Sequence, residues 1–213
     1  SDALDIIGSR GGEYRFEALA TDIIKSRRLW KKTWHMQSPA SLRQHIYALH
    51  GLTPELTHEA LAQAFCESLS AADEALMRSH LPRLVMHQTA TYRNMGEGLA
   101  HWLALNEAER LLGIEECLNL FLTGTGTIRK TLLNNKEHPI GTPLRDAVER
   151  MAEQALRYAS HAAALACAEE TFATSVLAGA LLTQYEAAKA ASHALDYDDL
   201  IEHTRALCSN PET

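Results

Sequence analysis

Five of the eight residues from Lys25 to Lys32 are basic, and Trp30 and Trp34 are set among and just beyond them. Cations of this kind hold backbone phosphates, and an indole can lie on a base or a sugar. If the run is helical, Arg27, Trp30, Lys31 and Trp34 fall on neighbouring turns of one face. Lys25, Arg27, Arg28, Trp30, Lys31 and Lys32 are therefore candidate DNA contacts. Arg129 and Lys130 form a second candidate patch. The bland alternative is a solvated basic face whose two tryptophans anchor the helix to the core.

Other chemistry is weaker. The stretch from Gly124 to Thr131 invites comparison with a phosphate loop, but Arg129 stands where such a loop needs Gly before its Lys. His58-Glu59 opens like a zinc-protease helix, yet Ala62 occupies the place of the second His. The acidic run Asp196-Tyr197-Asp198-Asp199 has the composition of a cation site. Acidic residues at a helix start are also what capping and the helix dipole select, and that reading is preferred. No Ser, Cys or Lys sits in a nucleophile motif, so no catalytic residue is assigned.

The elements that must carry these residues read as helices. Ser38-Pro39, Thr53-Pro54 and Thr142-Pro143 each pair a capping hydroxyl with a Pro that loses no hydrogen bond at the first helical position. Ser70 with Asp73 is a further start. The pattern predicts helices near 13–35, 39–50, 54–69, 71–93, 97–112, 114–122, 127–134, 143–191 and 196–208. Pro82 should kink or split the fourth. Regions 94–98 and 123–142, rich in Gly and polar residues, are the expected loops. Fifteen of the 40 residues from Ala152 to Ala191 are Ala. Leu144, Val148, Met151, Ala155, Tyr158, Ala162 and Leu165 step by four and three, keeping one apolar stripe on a partner. Glu169 interrupts the phase, and Phe172 and Val176 resume it.

The expected fold is thus all-α, a multi-helix bundle with one very long helix over about 143–191. A subdivision at 1–122, 123–142 and 143–213 is the one suggested. The 213 residues carry a formal charge of −7, which excludes a uniformly basic nucleic-acid wrapper but not a local patch. No uninterrupted apolar run of membrane-spanning length is present, so no span is expected. Cys66, Cys117, Cys167 and Cys208 lie far apart, which suits buried thiols in a reducing compartment. The Ser1-Asp2-Ala3 start reads as that of a piece excised from a longer cytoplasmic protein.

Several stretches resemble the AddA-type helicase–nucleases, UvrD-like superfamily 1 enzymes of double-strand-break repair. The run Tyr185-Glu-Ala-Ala-Lys189 followed by Leu195-Asp196-Tyr197-Asp198-Asp199-Leu200-Ile201 is similar to a segment that precedes the Walker B strand in that family. Phe121-Leu122-Thr123, Gly126 and Arg129-Lys130 resemble a second stretch, and Arg15-Phe16-Glu17-Ala18-Leu19 a third. The resemblance implies the helical 1B subdomain of such an enzyme. It implies ATP and Mg as cofactors of the intact parent, with none in this fragment, and an AddB-type partner subunit. Walker A, Walker B and nuclease motifs are absent from the chain. The fragment is therefore expected to guide DNA through its phosphates, not to hydrolyse ATP or cut DNA. The alternative from another class is a helical protein-interaction adaptor without nucleic-acid binding.

Overall fold

The structure is a computed structural model that describes residues 16–34, 38–130, 132 and 142–209. It is all-α. The helices are α1 (16–25), α2 (Arg27–Trp34), α3 (Pro39–Leu49), α4 (His58–Glu67), α5 (Ala71–Val85), α6 (Ala90–Ala104), α7 (Glu107–Leu112), α8 (Ile114–Phe121), α9 (Thr142–Ser192) and α10 (Tyr197–Cys208). Among the described residues the sole β pairing is an isolated bridge between Leu122 and Ile128. The chain divides into two compact units, Ser1–Ile46 with Ala168–Thr213, and Tyr47–Cys167. That division differs from one at residues 122 and 142.

The Tyr47–Cys167 unit is built on α4 to α8 and the first half of α9. Ser70 caps α5 by accepting from the Asp73 amide at 3.1 Å. Leu84 of α5 meets Gly96 of α6, and Arg78 of α5 donates to the Leu103 carbonyl, so the two helices run antiparallel. Phe65, Met77, Leu99, Cys117, Phe121, Leu144, Val148 and Ala155 fill the core. The stripe read from the sequence is the buried face of this half of α9, with Tyr158 and Ala162 half-buried along it. Charged stitches surround the core. Arg110 and Arg78 both hold Glu74, at 2.9 and 2.6 Å. Arg150 of α9 donates to both carboxylate oxygens of Asp73 of α5, at 2.5 and 3.1 Å.

The other unit holds α1, α2, most of α3, the second half of α9 and α10. Ser38 starts α3 as expected, accepting from the Ser41 amide at 3.2 Å. Ile23, Ala178 and Leu182 form its small core, with Leu19, Trp30 and Leu181 packed on it. Past residue 165 the buried face of α9 runs through Ala168, Ala173, Ser175, Ala178 and Leu182. Phe172 and Val176, expected to resume the stripe, are only half-buried.

Several local expectations are corrected. The expected loop at 94–98 lies inside α6. Its glycines are packing surfaces, because a Cβ on Gly96 would sit 2.6 Å from that of Leu84 and one on Gly98 2.3 Å from Leu120 Cδ2. The true connection is 86–89, and α5 runs on through Pro82 to Val85 without splitting. Thr53-Pro54 does not start a helix. The Thr53 carbonyl accepts from the Leu56 amide at 3.1 Å, closing a turn, and Thr57 caps α4 instead. The segment 97–112 is divided at Asn106, whose capping box starts α7. A turn at Ser26 divides 13–35, and Trp34 has its side chain outside the described residues.

The described part of 127–134 is no helix. Thr123 accepts from Gly126 and pairs with Thr127 across a tight loop, with Gly126 at φ 74°. Such a backbone favours Gly. None of the four cysteines forms a disulfide, and Cys167 and Cys208 are exposed where buried thiols were expected. Cys117 is fully buried, and burial pushes its thiol pKa far up. By length and composition α9 is also apolar enough to cross a membrane, although no span was expected. Leu165, Ala168, Leu177, Ala178 and Leu182 of that helix are buried inside the protein.

Candidate nucleic-acid interface

The basic run occupies the end of α1 and the first six residues of α2, reaching into its last turn with Lys31 and Lys32. At 100° per residue its cations separate onto two sides. Ile23, Arg27, Trp30 and Lys31 turn toward the rest of their unit, whereas Lys25, Arg28 and Lys32 are exposed. Arg28 and Lys32, four residues apart on α2, are adjacent on its outer side. Among the described residues neither they nor Lys25 form an ion pair.

Arg27 is committed inward. It is 8% exposed. Its guanidinium pairs with Asp196, lies 3.0 Å from Asp198, donates to the Ile24 carbonyl at 3.2 Å and sits 5.8 Å from the centre of the Tyr185 ring. Trp30 packs on the Ile23–Ala178–Leu182 core. Lys31 is half-buried, 2.8 Å from Glu186. The face of Arg27, Trp30 and Lys31, expected from the sequence to meet DNA, is thus the face that docks the helix. A guanidinium holding two carboxylates is not presented to a phosphate without breaking those pairs.

The partners of Arg27 belong to a larger knot at the turn from α9 to α10. Lys189 holds both oxygens of Asp199 at 2.7 Å and reaches Asp196 at 3.2 Å and Glu186 at 3.3 Å. The Tyr185 hydroxyl donates to Asp196 at 2.8 Å. Asp196 caps α10, accepting from the amides of Asp198 and Asp199, and Asp199 returns the favour to the Asp196 amide at 2.9 Å. The acidic run is therefore a capping box inside an ion cluster. Burial alone would raise the Asp196 carboxyl, but the hydrogen bonds from Tyr185, Asp199 and Lys189 and the charge of Arg27 hold it well below the usual range. Burial would likewise lower Lys189, and its bonds to Asp199, Asp196 and Glu186 carry it upward instead.

Sequence reasoning did not assign Tyr185, Glu186, Lys189 and Asp198 to this cluster. The available signal was the four-residue spacing of Tyr185 and Lys189, which puts both on one side of α9 facing an acidic cap.

Arg129 and Lys130 belong to the other unit and are exposed. The Arg129 side chain donates to the Asn119 carbonyl at 3.0 and 3.2 Å, fastening the loop that follows α8. That loop follows a helix rather than a strand, unlike a phosphate loop. No family model, no curated protein and no solved structure matches this chain.

Proposed function

We propose that the chain is a helical, DNA-guiding accessory subdomain of an ATP-dependent helicase of the AddA type, acting in double-strand-break repair inside the cell. Support comes from the motif resemblance and from one feature of the basic run: Lys25, Arg28 and Lys32 stand exposed together on the outer side of α1 and α2 while their neighbours do the docking. Three such cations offer sequence-independent contacts to phosphates. Arg129 and Lys130 are a separate, second patch. Under this reading ATP and Mg serve the parent motor and an AddB-type subunit is its partner. No residue described here has a catalytic role.

The test is DNA binding by the whole chain, followed by fluorescence anisotropy as salt rises. The proposal expects binding at low salt, with the logarithm of affinity falling linearly against the logarithm of salt. Absence of binding at low salt contradicts it. A second reading, a protein-interaction adaptor, has in its favour the exposed Leu195, Tyr197, Leu200 and Leu207 near the C-terminal end, and that outcome would favour it.

A further inference from the structure

A surface helix ordinarily holds its place by burying an apolar stripe. α10 does not: it buries no residue at all. Its half-buried residues are Asp198, Asp199 and Ile201. Tyr197 is 78% exposed, and Leu200 and Leu207 are 51% and 65% exposed. Yet Tyr197, Leu200, Ile201, Thr204 and Leu207 recur at intervals of three and four, so the sequence writes an apolar stripe that the fold leaves largely in water.

Among the described residues, the ion pairs that fasten α10 to other helices lie in its cap and first turn. Asp196 receives Arg27, Lys189 and the Tyr185 hydroxyl, Asp198 receives Arg27, and Asp199 receives Lys189. Beyond Ile201 every described residue of the helix is exposed. The joint behind this mooring is a tight corner. Ala194 N donates to the Lys189 carbonyl and His193 N to that of Ala190, with His193 at φ 49°. That is the helix-ending pattern in which Gly usually occupies the left-handed position, so His193 holds a conformation that side chains disfavour.

We infer that α10 is a strap held to α2 and α9 chiefly by this ion knot, and that weakening the knot releases it as one piece while α9 stays folded. Apolar burial too small to hold the helix leaves the charged contacts as its fastening, and those weaken as ions screen or replace them. Release uncovers Ile201 and frees Arg27 and Lys189 from their carboxylates. The inference does not depend on DNA binding.

Hydrogen exchange on the whole chain, read by mass spectrometry, tests it. In Lys189→Met the amides of α10 are expected to exchange about tenfold faster or more, with those of α9 over 174–188 unchanged. The same separation is expected in the unaltered chain as salt rises from about 50 mM to about 1 M, which decides the matter should the variant not fold. Equal α10 protection under both conditions overturns the inference. So does loss of α10 and α9 protection together, because the helix would then be part of one cooperative body.

Discussion

The Lys189 ammonium lies 2.7 Å from both carboxylate oxygens of Asp199, ten residues on, across the corner where α9 turns into α10. Asp196 and Arg27 complete that contact into a knot joining α2, α9 and α10. Its effect on the reading of the protein is to divide one basic run into cations that hold the fold and cations that face outward.

Arg27 is on the structural side of that division. Replacing it by Met leaves Asp196 and Asp198 without a guanidinium in a largely enclosed site. The expected loss is about 2 kcal/mol, the usual scale for hydrogen bonds to charged groups. Denaturant unfolding followed by circular dichroism measures it. Replacing exposed Arg28 by Met is expected to change stability by less than about 0.5 kcal/mol. Equal effects at the two positions would show that the division is wrong.

Stability should fall at both ends of the pH scale. Glu186, Asp196 and Asp199 are shifted down in the folded chain, as are Asp73 and Glu74 in the other unit. Groups shifted down contribute fully above their unfolded values, about 3.9 for Asp and 4.3 for Glu, and the contribution is lost as pH falls through the folded values. Lys189 and Tyr185 are shifted up. Their contribution is complete below unfolded values of about 10 and is lost as pH rises through the folded ones. Because the buried Cys117 thiol is also shifted up, from an unfolded value of about 8.5, denaturation midpoints measured against pH should form a plateau between about pH 5 and 8, with Lys189→Met showing a smaller fall at the alkaline end. A midpoint that rises on acidification contradicts these assignments.

The two glycines of α6 should differ under the same substitution. A methyl on Gly96 meets the Leu84 Cβ at 2.6 Å and the Val85 backbone N at 2.8 Å, neither of which can swing aside. A methyl on Gly98 meets the far end of the Leu120 side chain, which can change rotamer. Gly96→Ala is expected to cost about 1–3 kcal/mol by overpacking. Gly98→Ala should cost less, because Ala favours helix by about 1 kcal/mol over Gly. Thermal unfolding of both variants gives the comparison, and a more damaging Gly98→Ala would contradict the packing of α5 on α6.

These glycines also mark where sequence reading reaches its limit. Helix starts at Ser38, Ser70 and Asp196, and the ends of the long α9, were legible because capping and apolar spacing are local signals. Gly96 and Gly98 read as a loop, since only the neighbouring α5 and α8 explain their need for a missing side chain. Thr53-Pro54 reads locally as a helix start, but a turn closing on Leu56 occupies it and Thr57 caps α4 instead. At the candidate interface, charge density was visible, but its orientation was not. Ile23 and Trp30 indicate the inner side of α1 and α2, while the carboxylates that claim Arg27 come from about 170 residues later.

The most direct measurement of the DNA-guiding account is a salt titration of DNA binding by the triple variant Lys25→Glu, Arg28→Glu, Lys32→Glu, beside the unaltered chain. The account predicts weaker binding and a log–log salt slope reduced by about one for each cation lost, with the helical content retained. Unchanged affinity and an unchanged slope would contradict it.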